Sequence, residues 1–344
     1  TGGIGSHDLT DRGVLDADQQ VITNATHTLL FAVNQGSDTV AVFHIAADGS
    51  LSAVRGSPFP SGGIAPASLG ISGDILIVAN KALDGIRNLK RVQANYTTFR
   101  VQGDGRLEPT GSTVVLPPGS APTQVYVAPG NRLVFATEET GLFRAFRLTA
   151  GGALIQAPNS PLSLPDSLFN VGPRPDPVWP AGLSANGTTH ILYTGIPNYG
   201  TIAAYSYDAS GNLTFESQRM DPAAYLPCWS VINRAGTRLY FANAATDNIS
   251  VWDIGSKPDH PRQLQTVPLR GGGNPWNLQL SPDGKFLFII TPRQVKSLVP
   301  AGQGQLLHSL SVASDGKLAE RPDSPVTLPV ALGTNPFGLA VVPH

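Results

Sequence analysis

The sequence predicts an all-β chain: a seven-bladed β-propeller of four-stranded antiparallel blades, with six blades as the alternative. Three observations predict it. A unit of short apolar strands recurs along the chain and opens on a proline. Only 14% of residues are charged, and glycines and prolines together number 67 of 344. Low charge with many turn formers suits short strands better than helices. A repeated unit extends one core, so the length reads as a single domain over 1–344.

The prolyl steps are Ala65-Pro66, Ala121-Pro122, Trp179-Pro180, Leu226-Pro227, Asn274-Pro275 and Asn335-Pro336. An apolar strand follows each, here named A. A polar turn such as Ser281-Pro282-Asp283-Gly284 leads into strand B. The B strands include Leu29 to Asn34, Leu76 to Asn80, Leu133 to Thr137, Leu239 to Asn243 and Phe286 to Thr291. The proline lies 14 to 16 residues before the end of strand B in five units, so length variation falls in loops. Strand C alternates with period two, as in Thr39 to Ile45 and Thr201 to Tyr207. Pairs such as Asp48-Gly49, Asp104-Gly105 and Asp315-Gly316 then supply the positive φ of a hairpin turn, and a short strand D closes the unit. Four antiparallel strands at this period describe a propeller blade.

The ends set the blade count. Six B–C pairs but seven A strands are found, the first A strand beginning near Asp18 to Gln20 and the last following Pro336. Thr1-Gly2-Gly3 reads like the exit from a D strand, as Pro60-Ser61-Gly62-Gly63 does. A closing blade shared by both termini removes open edges. This arithmetic gives seven blades, one of them incomplete.

A formal charge of −1 without a basic run argues against a nucleic-acid partner. No run of 18 apolar residues argues for a membrane span. One cysteine, Cys228, excludes an intrachain disulfide and a cysteine metal cluster. No paired histidine motif supports zinc or copper, so neither metal nor cofactor is expected. Sequons at Asn24, Asn95, Asn186, Asn212 and Asn248 carry meaning only in a eukaryotic secretory protein. A secreted or periplasmic location is expected over a cytoplasmic one. The sequence leaves the oligomeric state open.

Strand direction alternates, so B–C and D–A loops share one face, the top. The long segments 81–95, 291–304 and 159–178 all fall there, with the acidic stretch 6–18. Long loops on one face of a rigid scaffold commonly carry binding or catalysis. Starts of A strands and ends of B strands approach the same face. The A starts offer Gln124, Trp179, Cys228, Trp229, Trp276, Asn277 and Phe337 as substrate-binding candidates. The B ends add Tyr199 and Asn243, and the charged candidates Lys81, Glu138, Glu139 and Arg293. Three of the four tryptophans belong to this set; they either line an aromatic pocket or pack between blades. Asn34, Asn80 and Asn243 end equivalent strands, which favours local backbone bonding.

Leu29-Leu30-Phe31-Ala32-Val33-Asn34, then Asp38-Thr39-Val40-Ala41-Val42-Phe43 and Asp48-Gly49-Ser50-Leu51, resembles the YVTN-like repeat of the lactonase-type seven-bladed propellers. Those include 6-phosphogluconolactonase and the carboxymuconate-lactonizing enzymes of fungi. Ser281-Pro282-Asp283-Gly284-Lys285-Phe286-Leu287-Phe288 is similar to the same unit, and the resemblance runs from about Gln19 to Val342. It implies a hydrolase opening a lactone, or the reverse cyclisation, on a small-molecule substrate without a metal. Family members place His, Arg or Glu just after the A-strand proline. This chain has Thr123-Gln124, Cys228-Trp229 and Trp276-Asn277 there, so those catalytic groups do not carry over. Pro227-Cys228-Trp229 looks like a less understood bacterial branch. Without the anion-binding arginines, a non-phosphorylated lactone is expected.

Lactone opening needs a base for water and a partner for the developing oxyanion. Histidines fall mostly at bottom turns, so Glu138 or Glu139 is the expected base, with Asp176 third. Lys81, Arg174 and Arg293 are the expected stabilisers of negative charge. The alternative is a non-catalytic propeller whose top face binds a protein or glycan.

Overall fold

The computed structural model describes residues 2–4, 17–84, 87–130, 132–169, 178–292, 305–330 and 337–343. The fold is all-β, a β-propeller, and the described residues form six antiparallel sheets in which chain order equals strand order. Six is the alternative count. The seven-bladed expectation rested on a seventh A strand after Pro336, and residues 337–343 carry no strand, while Pro336 lies outside the described residues.

Blade 1 comprises Val21–Thr23, Leu29–Asn34, Thr39–Ile45 and a D strand in two pieces, Leu51–Ala53 and Phe59–Pro60. Blade 2 comprises Pro66–Ser72, Ile75–Asn80, Asn95–Val101 and Leu107–Val115. Blade 3 comprises Pro122–Val127, Leu133–Glu138, Leu142–Leu148 and the pieces Leu154–Gln156 and Leu162–Ser163. Blade 4 comprises Leu183–Asn186, Ile191–Ile196, Thr201–Tyr207 and Leu213–Met220. Blade 5 comprises Pro227–Ile232, Arg238–Asn243, Asn248–Asp253 and Arg262–Pro268. Blade 6 comprises Leu278–Leu280, Phe286–Thr291, Leu306–Val312 and the pieces Leu318–Glu320 and Val326–Thr327. Blades 1 to 3 fall in one compact unit and blades 4 to 6 in a second.

Within each unit the blades pack face to face on the apolar side chains that alternate along B and C. In the first, Phe31, Val40, Leu69 and Val78 share one core and Ile77, Tyr96, Val134 and Phe146 another. In the second, Tyr193, Phe241 and Trp252 share one, and Trp229, Tyr240, Trp276 and Leu287 another. The A strands of blades 2, 3 and 5 each carry a bulge directly after the proline, displacing Ala67, Thr123 and Cys228 from the ladder. Bulges re-aim side chains next to functional sites.

Three D strands break at a Ser-Pro step: Ser57-Pro58, Ser160-Pro161 and Ser324-Pro325. In each the serine hydroxyl accepts a strand-C amide, from Val42, Ala145 and Ser309, at 2.8 to 3.0 Å. The side chain thus replaces the ladder bond that the break removes. Gly3 and Ile4 make the contacts that Gly63 and Ile64 make after the D strand of blade 1. A Cβ at Gly3 would meet the Asn34 side chain, as one at Gly63 would meet Asn80. Gly36 N–H donates to Ile4 O as Ala82 N–H donates to Ile64 O, both at 2.9 Å.

The sequon asparagines are built into the fold. Asn95, Asn186 and Asn248 are buried. Asn24 accepts the Thr28 and Leu29 amides through Oδ1, and Asn212 Oδ1 accepts the Asn159 amide.

A polar link recurs inside the blades, joining the last residue of strand B to the third residue of strand C. Asn80 Nδ2 donates to Thr97 Oγ1 (3.2 Å) and Asn243 Nδ2 to Ser250 Oγ (2.7 Å). In blade 3 the link is ionic, Arg144 to Glu138. In blade 6, Thr291 Oγ1 lies 3.3 Å from His308 Nε2, and His308 Nδ1 lies 2.8 Å from Glu320 Oε1. With Glu320 accepting, Nδ1 carries the proton. Burial pushes the His308 imidazole below its ordinary 6.5 although Glu320 pulls it up. A folded value below the unfolded one means that the unfolded chain takes up the proton first as pH falls. The stability His308 contributes is therefore full above the ordinary value and is lost as pH falls through 6.5. The Glu320 carboxyl, pushed up by burial but held down more strongly by hydrogen bonds from His308 and the Arg270 amide, acts in a separate window below 4.5. The thermal midpoint should drop between pH 7.5 and 5.5, and His308→Gln should flatten that slope. An unchanged slope in the variant would remove His308 as its source.

Candidate functional site

The sequence-predicted site residues fall into two groups, one in each compact unit. In the first unit the residues just past strand B are Gln35, Lys81 and Glu139 in blades 1, 2 and 3. Each amide of the last two is tied to the residue before an A-strand proline: Lys81 N–H donates to Ala65 O (2.9 Å) and Glu139 N–H to Ala121 O (3.0 Å). The turn therefore holds these side chains beside the A-strand starts. Lys81 Nζ pairs across the blade boundary with Glu139 Oε1. The ammonium is wholly buried, and 12% of the Glu139 side chain reaches solvent. A buried charge needs such a partner, because an isolated ammonium in an apolar interior costs several kcal/mol or more.

Glu138 behaves differently from its neighbour. Strand alternation turns its side chain into the blade, where Arg144 Nε engages Oε1 and Thr140 Oγ1 donates to Oε2 at 3.0 Å. Both partners of the ion pair are buried. Glu138 thus occupies the repeated B-to-C link. Gln124 is also buried, and its Nε2 donates to Gln19 Oε1 (3.0 Å) and Asp18 Oδ2 (3.3 Å). Asp18 N–H in turn donates to Thr123 O at 3.2 Å. The starts of the blade 1 and blade 3 A strands thus meet through Asp18, Gln19 and Gln124. Asp18 and Gln19 were missed as site residues, although their place at the first A-strand start was readable from the spacing. Gln19 has φ +59°, as do Ala65 (+54°), Leu226 (+56°) and Asn274 (+59°) within 5°. Four non-glycine residues at equivalent pre-strand positions hold this sparsely populated conformation, which the surrounding structure must fix.

In the second unit Trp229 and Trp276 stack edge to face at 5.7 Å, and Phe337 meets Trp276 the same way at 5.7 Å. Both indoles are buried and neither Nε1 has a hydrogen-bond partner among the described residues, whereas Phe337 is half-buried. Asn277 Oδ1 accepts the Gly338 amide at 2.8 Å, fixing the segment that bears Phe337. Cys228 is buried, and its carbonyl accepts the Gly182 amide at 2.6 Å. Asn243 Nδ2 donates to the side chains of Asn248 and Ser250, where the sequence suggested bonds to local backbone. Trp179 and Tyr199 are half-buried, and Tyr199 O accepts from Thr201 Oγ1 at 3.1 Å. Arg293, Arg174, Asp176 and His7 lie outside the described residues. Among the described residues no group of three or more His, Cys, Asp or Glu side chains is placed to hold a metal ion.

No protein-family model matches the sequence, and no curated protein matches it. Solved structures do match the fold. A candidate 6-phosphogluconolactonase from Bacteroides uniformis aligns with TM-score 0.70 and 16% identity over 90% of this chain and 84% of its own. The periplasmic gluconolactonase of Pseudomonas aeruginosa aligns with TM-score 0.69 and 16% identity over 90% and 85%. A chain of the mitotic checkpoint complex aligns with TM-score 0.63 and 14% identity over 99% and 91%. A propeller scaffold carries more than one kind of function. The chain shares the β-propeller fold of these proteins, at identities that speak for fold alone.

Proposed function

We propose that the protein is a lactonase-like hydrolase that opens a small, non-phosphorylated lactone, with Glu139 as the general base. The observation that carries this reading is the pair Lys81–Glu139. A buried cation fixes Glu139, which keeps contact with solvent where Glu138 does not. Glu139 accepts the proton of an attacking water. The Lys81 ammonium behind it fixes its orientation and supplies positive potential as charge develops on the carbonyl oxygen. Glu138 is set aside as base because its oxygens are spent on Arg144 and Thr140. The charge of Lys81 is offset by Glu139, which disfavours a phosphorylated substrate. The lactonase names among the structural neighbours agree with the reaction class.

The second reading is a non-catalytic propeller that binds a protein or glycan through its top face. Two observations favour it: Trp229 and Trp276 are buried rather than open, and the checkpoint-complex chain aligns over 99% of this one. A panel of lactones assayed by proton release, with and without chelator, separates the two. Hydrolysis of an unphosphorylated lactone that survives chelator supports the first reading, and none on any lactone supports the second.

A further inference from the structure

A groove of about 470 Å³ lies between the outer strand of blade 4 and the C–D hairpin of blade 5, wholly inside the second unit. The hairpin is fixed against blade 4. Tyr193 Oη donates to Pro258 O at 2.8 Å, and Ser217 Oγ donates to Asp259 O at 2.5 Å. The buried Trp252 contributes to the wall, and the exposed Met220, the chain's single methionine, to the rim. Around them stand Arg219, Lys257, His260 and Arg262, against one lining carboxylate, Asp253.

The charges do not cancel. Burial pushes the Asp253 carboxyl up, but hydrogen bonds from Ser256 and Gly255 and the charge of Arg238 hold it below the ordinary range, so it is ionised. It is already shared between Arg238 (3.1 Å) and Arg262 (3.3 Å). The hydrogen bond of Arg219 goes to the Gln218 carbonyl at 2.6 Å, and Lys257 has no ion pair among the described residues. Asp259 Oδ2 lies 3.0 Å from His260 Nδ1 without the alignment of a hydrogen bond. Two cations are thus left facing a groove with apolar patches on its wall and rim. A guanidinium fork beside an ammonium suits the oxygens of a phosphate or carboxylate.

We propose that this groove binds small organic oxyanions, with the charged head held by Arg219 and Lys257 and an apolar body against the exposed Met220. The site is independent of the lactone-opening reading. Titration calorimetry on the full chain with phenyl phosphate, inorganic phosphate and benzyl alcohol tests it. Phenyl phosphate should bind more tightly than inorganic phosphate, and the neutral alcohol should not register. The double variant Arg219→Ala/Lys257→Ala should bind phenyl phosphate roughly 10-fold more weakly or worse, with an unchanged thermal midpoint. Binding should also weaken in 0.5 M salt, about where screening shortens to a few ångströms. If the double variant does not fold, Lys257→Glu alone, at an exposed position, should show the same loss. No binding of phenyl phosphate, or equal binding by parent and variant, overturns the site. Equal affinity for phenyl phosphate and inorganic phosphate overturns the role of Met220.

Discussion

Glu138→Ala should destabilise the first compact unit by about 3–5 kcal/mol, because it leaves the buried Arg144 guanidinium without its carboxylate. Arg144 is 6% exposed and Glu138 wholly buried, so water cannot replace the lost partner without opening the blade. Thr140 would also lose its acceptor. A loss of this size lowers the thermal midpoint by roughly 10 °C in a unit of this length. The double change Glu138→Leu/Arg144→Met should recover most of the loss, since a buried ion pair replaced by apolar groups of similar volume is often neutral. Chemical denaturation of the three variants checks both statements. A single variant within about 0.5 kcal/mol of the parent would show that the pair is not a structural link of blade 3.

Gly195→Ala should be at least as disruptive within the second unit, by about 3 kcal/mol or more. Gly195 lies in strand B of blade 4, and a Cβ there would collide with the backbone carbonyl of Pro227 in strand A of blade 5. Backbone cannot rotate away as a flexible side chain can. Gly182 makes the same close approach one strand over, where a Cβ would fall 2.6 Å from Cys228 O and 2.8 Å from the Trp229 Cα. The two glycines let the Pro227-Cys228-Trp229 segment pack tightly against blade 4. Gly103→Ala is the matched control: no atom lies within 4 Å of its added Cβ, and the expected change is about 0.5 kcal/mol or less. A tolerated Gly195→Ala would mean that the blades can separate at that point without cost.

The repeat made the blades legible. Strands B and C of blade 1, B of blade 6 and C of blade 4 fall where period-two alternation and turn residues put them. The broken D strands were not legible, because a serine standing in for a ladder bond leaves only a Ser-Pro pair as its trace. The seventh blade is not found among the described residues, since an A-strand proline signals a strand start without a partner to pair with it. In the site, position along the strand was readable but side-chain direction was not. Glu138 and Glu139 are adjacent, and a strand sends neighbours to opposite sides. Their separation into a buried structural carboxylate and a partly exposed one follows from whether Arg144 or Lys81 stands opposite. Neither pairing can be seen without register, because Lys81 and Glu139 lie 58 residues apart.

The most direct test of the central claim is the turnover of Glu139→Gln on the best lactone substrate of the parent, measured by proton release at neutral pH. The substitution keeps the shape of the side chain and removes the base; because it also leaves the buried Lys81 ammonium without its carboxylate, the variant is compared at a temperature where circular dichroism shows it as folded as the parent. The account predicts turnover lower by roughly 10²-fold or more with KM nearly unchanged. Turnover equal to the parent's would contradict it.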